Sequence, residues 1–224
     1  MAKIKRFERN YFDGYYKKMV GSFTDNDLSK AKKWFWGWFK ALDSVYDLKQ
    51  GGKEVLEIGC SIGGAAAVLA ERGFRVTASD ISDYALQKAK KLLPQVTFLR
   101  WDATKKFPND KKFDLIYGFE VIEHISEPLK ALTNLKETLK PKGVLILSTP
   151  FPYAYVYSDP THVSVKHQTE WKDIFKQAGF SEVKFIKRSF IPYFYRFSKR
   201  LHLILPFTVN SPYINSSLFI IAYK

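Results

Sequence analysis

Residues 55–70 read VLEIGCSIGGAAAVLA. An apolar run of strand length ends in glycines, and Ala and Leu follow at helical spacing. Strand, glycine turn and helix form the opening of a βαβ unit, and the pattern repeats outward from here. Arg75–Ser79 is predicted as a second strand closed by Asp80, and Asp83–Leu93 as a helix with Ser82 at its N-cap and Pro94 beyond it. Val96–Arg100 and Phe113–Phe119 are predicted as strands three and four. Glu127–Leu139 is predicted as a helix with Pro128 in its first turn. Strand five, Val144–Thr149, follows the turn at Lys140–Gly143. Gln168–Ala178 reads as a helix stopped by Gly179, and Glu182–Ile186 and Ser217–Tyr223 as strands six and seven. Apolar strands joined to helices by short connections imply parallel pairing with both faces covered. The expected fold is α/β: a doubly wound, seven-stranded, mostly parallel sheet.

The chain has 224 residues and a net charge of +14, with 46% hydrophobic and 26% charged residues. These proportions exclude wholesale disorder and fibrous architectures. The single cysteine, Cys60, excludes an internal disulfide and a zinc–thiolate cluster, and favours a reducing, cytoplasmic setting. No apolar run reaches the ~20 residues needed to span a bilayer, and the basic N-terminus lacks the apolar stretch of a secretory signal. The charge is uneven. Residues 1–50 carry net +5, residues 51–182 net +2, and residues 183–224 net +7 with no acidic residue. The middle is nearly neutral and the flanks are basic.

In doubly wound sheets, ligands lie beyond the carboxyl ends of the strands. The loop after strand one is Glu57-Ile58-Gly59-Cys60-Ser61-Ile62-Gly63-Gly64. Glycine there permits positive φ and close approach of a ligand to the backbone, and the next helix offers free N–H groups. Such a loop also suits a dinucleotide. Asp80, about twenty residues on, stands where an acid can accept ribose hydroxyls. Asp102 closes strand three, where a carboxylate can accept an adenine amino hydrogen.

These features resemble the class I S-adenosylmethionine-dependent methyltransferases. The segments that carry the resemblance are VLEIGCSIGG (55–64), VTASDIS (76–82), FLRWDA (98–103), FDLIYGFEVIEHI (113–125) and LKPKGVLILSTP (139–150). It covers residues 51–182 and the last strand. It implies a Rossmann-like methyltransferase fold and S-adenosylmethionine as the cofactor. It also implies cofactor contacts from Glu57, Gly59, Ser61, Gly63, Asp80, Ile81, Asp102, Ala103, Phe119 and Glu120. Ser61 replaces the middle glycine of the usual loop, a substitution that fits a negative φ at that position.

Glu120-Val121-Ile122-Glu123-His124 follows strand four. As one helical turn, it sets residues 120, 123 and 124 on a shared face. Two carboxylates and an imidazole suit a divalent cation, and His124 alone suits a general base. His162 and His167 lie beyond strand five and extend the metal candidates to Glu120, Glu123, His124, His162 and His167. The Glu-x-x-Glu-His pattern resembles the ubiquinone-biosynthesis O-methyltransferases and the small-RNA 3′-end 2′-O-methyltransferases. A purely structural role for Glu123 and His124, bonding the loop after strand five, stands beside both chemical readings.

Residues 1–50 are expected to form a helical cap on a methyltransferase domain of residues 51–224. The cap holds two aromatic clusters, Phe7, Tyr11, Phe12, Tyr15 and Tyr16, then Trp34, Phe35, Trp36, Trp38 and Phe39. The second, with Leu42 and Val45, is read mainly as core packing. Residues 187–216 read as a basic, aromatic insertion: a lid, a helix at an anionic membrane surface, or an RNA-binding face. The leading expectation is methyl transfer to an oxygen of a small, lipophilic or glycosidic acceptor, with His124 as the catalytic base. An RNA ribose 2′-O-methyltransferase and a catalytically idle cofactor-binding partner protein are the alternatives. The flanking segments set the acceptor, and the shared core does not specify them.

Overall fold

The protein is seen as a computed structural model that describes residues 11, 25–43, 45, 46, 48, 51–191, 194, 197, 198 and 201–224. The chain divides into two compact units, residues 1–102 with 195–200, and residues 103–194 with 201–224.

In the first unit, β1 (Glu54–Ile58), β2 (Arg75–Asp80) and β3 (Thr97–Arg100) are parallel, with β2 central. Val55 pairs with Val76, and Ala78 with Phe98. Helix α1 spans Asp25–Leu42, α2 Gly64–Glu71 and α3 Asp83–Leu92. Small residues shape α2, which is buried from Gly64 to Leu69. A Cβ on Gly64 would stand 2.6 Å from the Cβ of Ala31, so the glycine lets α1 come close. Helix α1 buries Leu28, Ala31, Trp38, Phe39 and Leu42. Arg72 closes this contact: it pairs with Asp43 at 2.9 Å and lies over the rings of Trp36 and Phe39. Val45, expected in this cluster, is exposed. Phe7, Phe12, Tyr15 and Tyr16 lie outside the described residues. Ser82 caps α3 by accepting the N–H of Ala85 at 3.2 Å.

The second unit holds β4 (Phe113–Gly118), β5 (Leu139–Pro150), β6 (Glu182–Ile191), β7 (Leu203–Leu205) and β8 (Asn215–Tyr223). Their order is β4-β5-β8-β6-β7. β4 and β5 are parallel, and the remaining pairs are antiparallel. Helices α4 (Pro128–Thr138) and α5 (Gln168–Gln177) complete the unit. β5 begins five residues earlier than predicted. The Lys140–Gly143 turn is absorbed as an irregularity, where Phe113 pairs with Leu139 but Leu115 with Val144. Lys142 takes a positive φ of 62° there.

The class is α/β with mostly parallel strands, as expected, but the strands number eight among the described residues rather than seven. The eighth is β7, whose Leu203 and Ile204 pair with Ile191 and Phe190. Those β-prone residues also carry β6 five positions past its predicted end. The segment 187–216 therefore begins within a strand, and its described residues include β7. No described helix is long and apolar enough to cross a membrane.

Candidate functional site

In the first unit the glycine loop is tied down at its centre. Cys60 donates its N–H to the carbonyl of Ser79 at 2.9 Å, and Gly63 its N–H to the carbonyl of Cys60 at 2.7 Å. Asp80, 8% exposed, receives the N–H of Ser61 on one oxygen and that of Ser82 on the other, both at 2.9 Å. One carboxylate thus joins the loop after β1 to the start of α3. Gly59, Ser61 and Gly63 have φ of 67°, 46° and 81°. Ser61 is left-handed, against the negative φ expected for it, because the loop alternates through that region while directing the Ser61 amide at Asp80. A side chain on Gly63 would also collide with Leu93, at 2.7 Å from Cδ1.

The neighbouring candidates have local roles. Ile81 receives the Arg100 side chain on its carbonyl at 3.2 Å, and Ser79 donates its hydroxyl to the Glu57 carbonyl at 2.8 Å. Asp102 is half-buried just beyond β3. Cys60 is buried, and burial, then the charges of Asp80 and Glu57, push its thiol upward, so it packs as a neutral group. Glu57, Gly59, Ser61, Gly63, Asp80, Ile81 and Asp102 belong to this unit. Its acceptor carboxylate and open backbone suit a nucleoside that offers hydroxyls.

Ala103, Phe119 and Glu120 belong to the second unit. Ala103 accepts from the Asn134 side chain on its carbonyl at 3.0 Å. Phe119 packs against Tyr117 and Phe219. Glu120 has a positive φ of 51° and precedes a short 3-10 turn at Ile122–His124, so it is not part of a common helical face with Glu123 and His124. Ser148 fixes it: the Ser148 hydroxyl accepts the Glu120 N–H at 3.0 Å and donates to its carboxylate at 2.8 Å. Desolvation raises this carboxyl from 4.5 to about 7, against the opposing hydrogen bonds of Ser148 and Ser217.

Glu123 has no solvent exposure, and neither of its carboxyl oxygens has a hydrogen-bond partner. The Thr149 hydroxyl is near enough to favour the ionised form slightly but does not meet hydrogen-bonding geometry. Burial, then the charge of Glu120, holds the Glu123 carboxyl well above its usual range. Its main-chain carbonyl accepts the N–H groups of Val163 and Ser164, at 2.9 and 2.8 Å. That pair of bonds sets the loop after β5 against the turn after β4.

The same loop orients both histidines. His124 Nδ1 bonds the Thr161 carbonyl at 3.1 Å, and His162 Nδ1 bonds the Val156 carbonyl at 2.8 Å. A carbonyl only accepts, so each Nδ1 carries the hydrogen and each neutral ring has its lone pair at Nε2. The two rings are 4.9 Å apart. Nε2 of His124 is 3.9 Å from Glu123 Oε1, and Nε2 of His162 is 3.7 Å from Asp159 Oδ2. Asp159 in turn receives the amide and hydroxyl of Thr161, at 2.8 and 2.6 Å.

One ligand atom each from Glu123, His124 and His162 lie within 4.8 Å of one another. Ligands ~2.1 Å from a tetrahedral zinc stand roughly 3.4 Å apart, so the trio must draw inward to hold such an ion. Glu120 and His167 are not in the trio. His167 starts α5, its N–H accepted by Glu170 at 2.8 Å. A separate groove between α4 and the loop after β5 is lined by Ser126, Pro128, Lys130 and Lys166, and none of the cluster residues reaches it. Ser148, Asp159 and Thr161 are the supporting residues that sequence reasoning passed over. A serine inside an otherwise apolar strand was the signal for Ser148.

Comparison with known proteins follows the same outline. A methyltransferase-domain family model matches residues 35–184. The ubiquinone biosynthesis O-methyltransferase of Rickettsia bellii (strain OSU 85-389) is 37% identical over 100 residues, covering 43% of this chain and 41% of that protein. Phosphoethanolamine N-methyltransferase 3 of Arabidopsis thaliana is 31% identical over 157 residues, covering 64% of this chain and 32% of that protein. The chain thus spans well under two thirds of the length of either relative. Among solved structures, magnesium protoporphyrin IX methyltransferase from Synechocystis PCC 6803 superposes with a TM-score of 0.63 at 18% identity, covering 96% of this chain and 97% of the other. Haemonchus contortus phosphoethanolamine N-methyltransferase 2, in complex with S-adenosyl-L-methionine, gives 0.66 at 20% identity, covering 96% and 59%. The family match takes in β1 to β5 with the loops that carry Asp80 and His124, and the chain belongs to the methyltransferase-domain family.

Proposed function

We propose that this chain transfers a methyl group from S-adenosylmethionine to an oxygen of a small-molecule acceptor, with His124 taking the hydroxyl proton at Nε2. The supporting observation is the hydrogen bond from His124 Nδ1 to Thr161, which leaves the lone pair on the other nitrogen. A hydroxyl acceptor must lose a proton during methylation, and an imidazole with an unperturbed pKa of ~6.5 is matched to that task near neutral pH. The electrophilic methyl comes from the sulfonium of the cofactor when it is bound. Glu57, Gly59, Ser61, Gly63, Asp80, Ile81 and Asp102 are the cofactor residues of the first unit, with Asp80 accepting ribose hydroxyls and Asp102 the adenine amino group. Ala103, Phe119 and Glu120 are those of the second. Methyl transfer depends on in-line positioning more than on a strong catalyst, which is the work of these loops.

The clustering of Glu123, His124 and His162 favours one second reading, in which they hold a divalent cation that polarises the acceptor oxygen. Labelled S-adenosylmethionine, incubated with lipid, sugar and RNA fractions with and without chelator, tests both. Label in a small-molecule fraction that survives chelation supports the base. Label abolished by chelation and restored by metal supports the cation. Label confined to RNA makes the acceptor a nucleic acid, and a ribose where the label stays with the sugar after the bases are released. No label in any fraction, with cofactor binding intact, overturns the enzymatic reading and leaves a cofactor-binding partner protein.

A further inference from the structure

The segment after β6 carries chemistry that methyl transfer does not use. β7 lies at the end of the second unit's strand order, hydrogen-bonded to β6 alone among the described strands. Side chains alternate along a strand, so Leu203 and Leu205 share one face of β7, and Leu201 and Phe207 flank it on either side. Leu201, Leu203 and Phe207 are 50%, 48% and 54% exposed. Across the pair, Leu203 stands opposite half-buried Ile191, and Leu205 opposite Ser189, which is buried and bonded to the Phe207–Val209 segment. Two positions back on the same face is exposed Lys187, whose ammonium stands 5.3 Å from the ring centre of Phe151. The Phe207 carbonyl accepts the Ser189 hydroxyl at 2.8 Å, which anchors the far end of the strip to the sheet. Phe194 and Tyr213 are exposed as well.

An exposed edge strand is ordinarily blunted by charge, a bulge or a cover. Here its outward side chains are leucine and phenylalanine. The surrounding sequence is one-signed: residues 183–224 contain seven Lys or Arg and no Asp or Glu. Arg196, Lys199 and Arg200 fall in the connection between β6 and β7.

We propose that the β6–β7 edge, with Leu201, Leu203 and Phe207 as its apolar contacts and Lys187 as its cation, docks on an anionic lipid bilayer. Apolar side chains of this size enter the headgroup boundary, while lysine and arginine meet anionic headgroups. Two of the three apolar contacts are aliphatic leucines, which have no face on which a nucleobase can stack, so the strip fits lipid better than single-stranded RNA. A protein partner of matching shape would use the apolar strip and leave the one-signed charge unexplained. This surface is independent of the reading of His124.

The full chain is sedimented with vesicles of phosphatidylcholine alone and of phosphatidylcholine mixed with phosphatidylglycerol, at low and several-fold higher salt. Binding is expected to the mixed vesicles only, and to weaken with salt. Lys187→Glu removes one attraction and adds one repulsion, and should weaken binding about tenfold. Leu203→Asp should weaken it at both salt concentrations. Unchanged melting temperatures in both variants show that the loss is not unfolding. Lack of binding to either vesicle overturns the proposal, as does equal binding to both. Binding that neither substitution alters, retention on single-stranded RNA alone, or dimerisation that Leu203→Asp abolishes without any vesicle binding overturns it too.

Discussion

His124 donates its Nδ1–H to the carbonyl oxygen of Thr161 at 3.1 Å. The bond selects the tautomer that leaves Nε2 able to take a proton or bind a cation. His124→Ala should lower kcat by about 10²–10⁴-fold, the usual contribution of a positioned base, and leave S-adenosylmethionine affinity unchanged. His162→Ala separates the two chemical readings. A base at His124 predicts a much milder loss there, whereas a cation held by Glu123, His124 and His162 predicts comparable losses that added metal partly restores. Equal loss of cofactor affinity and rate in His124→Ala would remove the catalytic assignment.

Asp159 acts on that carbonyl from behind, through the amide and hydroxyl of Thr161. Asp159→Ala leaves a part-buried amide and hydroxyl unmatched, which should cost about 1–3 kcal/mol of stability. Thr161→Val keeps the main-chain carbonyl that faces His124 and loses only the hydroxyl bond. Its rate should stay within about threefold of the wild type, while Asp159→Ala loses rate and shifts the pH profile of kcat. A larger rate defect in Thr161→Val than in Asp159→Ala would contradict this ordering.

Glu120 makes stability depend on pH in a stated direction. Its carboxyl is raised from 4.5 to about 7, chiefly by desolvation. Between those values the folded protein keeps a proton that the unfolded chain has released. The folded state therefore binds more protons, and stability falls as pH rises through the window. The contribution is fully present below the unfolded value and is lost on passing the folded one. Glu120→Gln removes this dependence, so the stability of the variant relative to the wild type should climb from about pH 5 to about pH 8. Denaturant melts of both proteins at several pH values check it. A constant difference would place Glu120 in a more solvated setting.

The sheet, its helices and the acids at its strand ends were legible because each is written in short-range chemistry. Apolar runs gave the strands, Gly63 and Pro94 the breaks, and Ser82 the cap. The second unit was less legible where tertiary pairing decides. β7 is three residues long, and its strand conformation depends on Phe190 and Ile191 opposite. The Glu120–His124 segment has helical spacing, but two bonds to Ser148, twenty-eight positions away, hold Glu120 in a left-handed conformation outside the turn. His124 and His162 were named from residue type and from their places after strands four and five. Their common Nδ1-to-carbonyl orientation depends on Thr161 and Val156, whose main-chain oxygens leave no trace in the sequence.

Ser61 and Asp80 form the two ends of one hydrogen bond and should respond oppositely to substitution. Ser61 has a φ of 46°, a conformation that costs a residue other than glycine roughly 1–2 kcal/mol. Ser61→Gly relieves that cost and keeps the amide that Asp80 accepts. Glycine's greater freedom in the unfolded chain offsets part of the gain, so stability should stay level or rise by up to about 1 kcal/mol. Asp80→Asn removes the charge and turns an amide NH₂ toward one of two backbone N–H donors. It should cost about 1.5–3 kcal/mol, the range for hydrogen bonds to charged groups, and loosen the loop. If Asp80 also accepts ribose hydroxyls, Asp80→Asn weakens S-adenosylmethionine binding beyond its effect on stability, while Ser61→Gly leaves binding within about twofold of the wild type. Titration calorimetry and thermal melting on the same preparations separate the two effects. Normal cofactor affinity in a destabilised Asp80→Asn would confine Asp80 to holding the loop.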